Sequence, residues 1–281
     1  MALWTPGDLM GRFGEANFSA PSSTVGTQIT ASSTAGSKGS WTQLIASTAK
    51  EYHWLIVGFT ANNASATITN VVVDIGIGAA SSEIVLVPDL LVGSQPSITT
   101  DFAPHLYVFP IRVPSGSRLS ARSASGPAGS LTCRVLMWLF GKNPKVPSWT
   151  GSKVTAYGIT LSGDARGVAV TPGVSAAEGS WTQIVSSTGD RCEYIVPGWG
   201  MPQTTTVANQ VYALDFGFGA SSAEQALVRD ILFMTDTSER VHGGWCMPIY
   251  ADLPASTRLV ARLSQHSTTA QAVDVALYGV S

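Results

Sequence analysis

The chain is written twice. Gly39 to Gln43 reads GSWTQ and Gly179 to Gln183 reads the same again, an offset of 140 in 281 residues. A chance echo stops at its seed, whereas this one continues. VVVDIGIGAASSEIVLVPDLL (Val71 to Leu91) lies over YALDFGFGASSAEQALVRDIL (Tyr212 to Leu232), and VFPIRVPSGSRLSAR (Val108 to Arg122) lies over CMPIYADLPASTRLVAR (Cys246 to Arg262). Both copies close alike, in LMWLFG (Leu136 to Gly141) and VALYGV (Val275 to Val280). The offset drifts only in stretches rich in Gly, Ser and Thr, where loops belong, so the chain is two copies of one module.

Each copy is long enough to bury a core without disulfide staples. Within a copy the apolar residues come in short runs such as HWLIVGF, NVVVDIGIG and EIVLVPDLL, bounded by Gly, Pro, Asn and Ser. That is the period of strands, not helices. In NVVVDIGIG, Val71, Val73, Ile75 and Ile77 share one face, with Val72, Asp74, Gly76 and Gly78 on the other. The second copy sets Tyr212, Leu214, Phe216 and Phe218 against Val211, Ala213, Asp215 and Gly217. Glycines on the second face imply that something passes close over it. Strands at this spacing predict an all-β chain of two tandem antiparallel β-sandwiches, jelly-roll-like, behind an N-terminal arm. The immunoglobulin-like alternative lacks the paired Cys with an intervening Trp.

The expected organisation is an arm at 1–25, sandwich 1 at 26–141, a proline-bearing linker and lead-in at 142–166, and sandwich 2 at 167–281. Trp4, Phe13 and Phe18 make the arm the candidate docking element. Charged residues are only 12% of the chain and the net charge is -2 without a basic run, which argues against nucleic acid as a partner. No apolar run reaches the length of a spanning helix, so membrane insertion is not expected, and no signal peptide is read at the N-terminus. Cys133, Cys192 and Cys246 fall at positions the copies do not share. They read as buried thiols, with a Cys192–Cys246 bridge as the alternative.

Little points to catalysis. GxSxG and CxxC are absent, and no histidine of one copy matches one of the other, so neither an enzyme, a metal nor a cofactor is expected. The charged residues that coincide are Asp74 with Asp215, Glu83 with Glu224, Asp89 with Asp230, Arg118 with Arg258 and Arg122 with Arg262. They are read as structural ion pairs, a cation or sugar-hydroxyl site being the alternative. Trp41 and Trp181 are expected to plug the ends of their sandwiches. Trp199, His242 and Trp245 lie among glycines in stretches where the copies disagree, and are the candidate contacts to a partner or glycan.

Taken together, the GSWTQL opening, the DIGIGA and PSGSRL segments and the aromatic-Gly close resemble β-sandwich modules in structural proteins of tailed bacteriophages. The resemblance covers both modules and carries no active site. It implies a non-enzymatic virion subunit assembled in the host cytoplasm: an outward-facing tail-fibre, neck or head-decoration part. Capsid, neck or tail proteins would be its partners, along with further copies of itself. Host surface polysaccharide is a candidate ligand. A carbohydrate-binding module pair is the alternative reading, and a depolymerase a weaker one.

Overall fold

The computed structural model describes residues 13–17, 26–60, 71–92, 105–126, 131–142, 150–161, 166–200, 210–235 and 244–281. These residues form strands throughout, in two sandwiches of one topology. In the first, β1 (Phe13–Ala16), β9 (Thr132–Phe140), β4 (Trp54–Thr60) and β7 (His105–Phe109) make one sheet, with β2 (Thr27–Thr30) also paired to β9. The facing sheet runs β3 (Thr42–Ile45), β8 (Leu119–Ser125), β5 (Val71–Ile77), β6 (Ile84–Val92). First strand pairs with last, and each pairing nests inside the one before, down to the β5–β6 hairpin. This is a β-hairpin rolled up on itself, the jelly roll.

The second sandwich repeats it. β10 (Val154–Tyr157), β19 (Val273–Val280), β13 (Cys192–Gly200) and β17 (Ile249–Leu253) form one sheet, with β11 (Val168–Val170) also on β19. The other sheet runs β12 (Thr182–Val185), β18 (Leu259–Gln265), β14 (Val211–Phe218), β15 (Gln225–Met234). The pleat reads as expected: Tyr212, Leu214 and Phe216 are buried in the core, as are Val71, Val73 and Ile75.

Two boundaries differ from the expectation. Phe13 to Ala16 is an edge strand, Phe13 standing opposite Phe140, and not part of a free arm. The Asn17 side chain fixes it by donating to the Val135 carbonyl at 2.8 Å and accepting from the Met137 amide at 2.9 Å. In the segment expected as linker, Val154 to Tyr157 pairs with β19 in the same way, Val154 opposite Val280. The repeat therefore begins before residues 26 and 167. Phe13 and Val154 are counterparts, because a two-layer roll needs a partner for its last strand over that strand's full length. Trp4 and Phe18 lie outside the described residues.

A shared turn explains another part of the duplication. The Thr48 hydroxyl donates to the Pro114 carbonyl at 2.7 Å and accepts from the Ser117 amide at 3.0 Å. Thr188 does the same with Pro254 and Thr257, at 3.3 and 3.1 Å. The prolines and the two hydroxyl residues are thus kept because they close the loop ahead of β8 and of β18.

The sandwiches do not stand apart. Buried residues of both belong to one continuous core. β6 of the first packs against β10 and β13 of the second. A short strand just ahead of β17, β16 (Trp245–Cys246), pairs in parallel with β7 of the first sandwich, Trp245 beside Leu106 and Cys246 beside Tyr107. The second sandwich has lent a strand to the first. All other strand pairs among the described residues are antiparallel.

Candidate functional site

The outer face of the β3-β8-β5-β6 sheet carries most of the shared charge. Asp74 stands opposite Arg122 across β5 and β8, and the guanidinium donates to its carboxylate at 2.8 Å. Beside Asp74 the β6 strand bulges: Val73 faces Leu90 and Ile75 faces Val87, leaving Pro88 and Asp89 opposite one residue. Asp89 takes a φ of 50° there, and its amide donates to Asp74 Oδ1 at 2.9 Å. The carboxylate thus fills the gap in the ladder that the bulge opens. Asp215, Asp230 and Arg262 repeat this in the second copy, with Asp230 at φ 57° donating at 2.9 Å and Arg262 at 2.9 Å. Arg118 and Arg258 pair with Glu83 and Glu224 at 2.7 and 3.0 Å.

The aromatic of GSWTQ lies flat on this face. Trp41 covers Gly76, where a Cβ would come within 2.7 Å of the indole, and the Arg122 guanidinium stacks over the ring at 4.4 Å. Trp181, Gly217 and Arg262 form the same stack, also at 4.4 Å. The indole is therefore the object that passes close over the glycine face, and not an end plug. The rest of the pentapeptide follows. Gly39 and Gly179 abut the Thr30 and Thr171 carbonyls, where a Cβ would collide. Thr42 and Thr182 pair with Ala121 and Ala261, and Gln43 and Gln183 accept from Arg118 and Arg258 at 3.1 and 3.0 Å.

One position breaks the likeness. Lys38 bridges Asp74 at 2.7 Å and Asp89 at 2.5 Å, while its counterpart Glu178 pairs with Arg262 at 2.5 Å. Burial pushes the Asp74 carboxyl up, but Lys38, the Asp89 amide and Arg122 together outweigh it and hold the group below the ordinary carboxylate range. Lys38 also borders a shallow polar groove of about 410 Å³ with Thr30, Ser32, Ser40 and Thr42. Its ammonium is turned into the two carboxylates, so the charge nearest the groove is already neutralised.

The loop aromatics separate. Trp199 is 1% exposed, stacked on Phe233 at 5.3 Å, so it belongs to the core and not to a contact surface. Its strand turns it inward, between the two sheets of the second sandwich, and a Trp flanked by glycines reads alike in sequence whether it caps a loop or fills a core. Trp245 is 53% exposed and remains a surface aromatic, as does Tyr250 at 65%. His242 lies outside the described residues. The three cysteines are free and buried. Cys192 sits against the Tyr157 hydroxyl at 3.6 Å instead of bridging to Cys246, and burial pushes the Cys133 thiol up to about 12. No group of three His, Cys, Asp or Glu among the described residues is placed to hold a metal.

Sequence reasoning missed the seam between the copies. Tyr278 enters from β19 of the second sandwich, accepts from the Leu91 amide at 2.7 Å and donates to the Asp89 carbonyl at 2.9 Å. The Tyr107 hydroxyl of the first sandwich donates to the Leu91 carbonyl at 2.5 Å, and the two rings meet edge to face at 5.5 Å. The free edge of β6 is satisfied by two phenols in place of a further strand. The only available signal was that the copies differ there, Trp138 standing where the second has Tyr278.

No protein-family model matches the chain, and no curated protein matches it in sequence. Solved structures resemble it distantly. PNGF-II aligns at a TM-score of 0.33 and 8% identity, over 85% of this chain and 59% of its own. The tandem CBM22-1–CBM22-2 domain of Xyn10C from Paenibacillus barcinonensis aligns at 0.27 and 9%, over 86% and 82%. An archaeal virus protein with a triple jelly roll fold and turret assembly aligns at 0.24 and 12%, over 91% and 59%. The chain thus spans 59% of the length of the first and third of these proteins.

Proposed function

We propose that this chain is a structural subunit of a virus particle, a non-enzymatic accessory part of a tailed-phage virion that faces outward from tail, neck or head. The observation that carries the reading is the seam: two jelly rolls fused through one core, a lent strand and two phenols make a stiff double block. Rigidity of that kind serves assembly more directly than turnover. The low charge of the surface fits repeated side-by-side placement, where like charges would repel. Trp245 and Tyr250, exposed on the second sandwich, are the residues with which such a part would touch a host surface glycan.

Immunogold labelling of purified particles tests the reading. Regular labelling at one particle site supports it, and particles free of the protein overturn it. A glycan array on the isolated chain tests the alternative: binding in the absence of any particle association would make it a carbohydrate-binding module pair.

A further inference from the structure

The contact between the two sandwiches is made from surfaces that each copy owns, and each surface therefore occurs a second time on the molecule. Within the chain, the β6 side of sandwich 1 meets the outer face of the sheet holding β10, β13 and β19. At that seam Leu91 is 0% exposed, Tyr278 0% and Val154 5%. The counterpart of Leu91 is Leu232 on β15, which is 69% exposed, with Val211 at 46% and Met234 at 48% beside it. The counterpart of Val154 is Phe13 on β1, 55% exposed, packed edge to face on Phe140 at 5.7 Å. Trp138, the counterpart of Tyr278, is half-buried on the same outer face, next to the apolar cluster of Ile56, Leu106 and Val108.

We propose that copies of this chain associate head to tail. The β15 side of sandwich 2 in one copy seats on the outer face of the β1-β9-β4 sheet of sandwich 1 in the next, repeating between chains the contact made within each. The occupant is a second copy because the molecule already shows what covers a surface of this kind: the same module. The repeat is confined to the face contact, since β7 is already paired on both sides, by β4 and by β16. An edge-on-face contact uses two different patches, so it propagates into a ring or a filament instead of closing as a two-fold dimer. It would also cover β15, an edge strand on which Leu232 and Met234 are exposed. The inference goes beyond the role proposed above and does not depend on it.

The test is the mass of the full chain in solution, by sedimentation, over a wide concentration range. Wild-type protein is expected to form species heavier than the 29.3 kDa monomer. Leu232→Arg blocks one surface and Phe13→Arg the other, so each alone is expected to stay monomeric. Mixed in equal amounts, they retain one intact pair of surfaces and are expected to give a heterodimer and nothing larger. Circular dichroism confirms that each variant folds, and Met234→Arg or Trp138→Gln replaces one that does not. Wild-type protein that stays monomeric up to its solubility limit, a blocked variant that still assembles alone, or a mixture that does not dimerise each overturns the proposal.

Discussion

The Tyr278 hydroxyl lies 2.9 Å from the Asp89 carbonyl oxygen, so the last strand of the second sandwich is tied to an edge strand of the first across 189 residues of chain. Because the same hydroxyl also accepts from the Leu91 amide, one atom satisfies both a donor and an acceptor of β6. Tyr278→Phe leaves both backbone groups buried and unpaired there, at a cost of about 1–3 kcal/mol. Calorimetry of the wild type is expected to show a single unfolding transition, since the core is continuous. In the variant that transition moves to lower temperature and broadens or splits as the sandwiches uncouple.

Trp199→Ala and Trp245→Ala are expected to part company. The first empties a site among Phe233 and Tyr212 and should cost about 3–5 kcal/mol. The second removes a surface ring and should leave the denaturant midpoint within about 0.5 kcal/mol of wild type. Equal losses would show that Trp245, too, carries the packing of the fold.

Lys38 and Glu178 occupy one repeat position with opposite charge, which makes exchange informative. Lys38→Glu removes the cation that bridges Asp74 and Asp89 and leaves Arg122 to pair with the new acid, as Arg262 does with Glu178 in the second copy, an expected loss of about 1–3 kcal/mol. Glu178→Lys only recreates beside Asp215 and Asp230 the arrangement of the first copy, and its effect should stay under about 1 kcal/mol. Urea unfolding of the two variants checks the asymmetry.

Acid should find the first copy through Asp74. Its carboxyl is held below the ordinary range in the folded chain, so the stability it contributes is complete above the unfolded value of about 4 and drains away as pH falls through the lower, folded value. Asp74→Asn should therefore lower stability at neutral pH and flatten the acid limb of a stability-versus-pH curve. A limb unchanged by the substitution would assign acid sensitivity to other groups.

Gly76→Ala places a methyl within 2.7 Å of the Trp41 ring and should cost about 1–3 kcal/mol, the indole being held from its other side by Arg122. A change in Trp fluorescence that accompanies the loss would locate the strain at that stack.

The fold was legible because period and repetition are properties of each strand and of its twin. The pleat of Val71 to Ile77, the glycines at Gly76 and Gly217 and the acid–arginine pairs could all be read from residue type and spacing. What lay over the glycines could not, because Trp41 reaches Gly76 across the sheet, and the pentapeptide alone does not say on which side of its strand the indole falls. The seam was less legible still. Tyr278 and Trp138 differ in a stretch that reads as core in both copies, and only the packing of one copy on the other gives the phenol its two partners. Phe13 to Ala16 was hidden for a third reason: four residues are too few for periodicity to declare a strand.

The strand that crosses from the second sandwich to lie against β7 bears on how such a chain can change over generations. A tandem duplication normally leaves each half dispensable to the other, and loss of either restores the ancestor. Here Trp245 and Cys246 complete a sheet that their own half does not contain, and Tyr278 caps a strand that is not its own. Deleting either half would expose an unfinished edge in the survivor. The doubling has become a ratchet: the two halves can diverge, as Lys38 and Glu178 have, but neither can any longer be inherited alone.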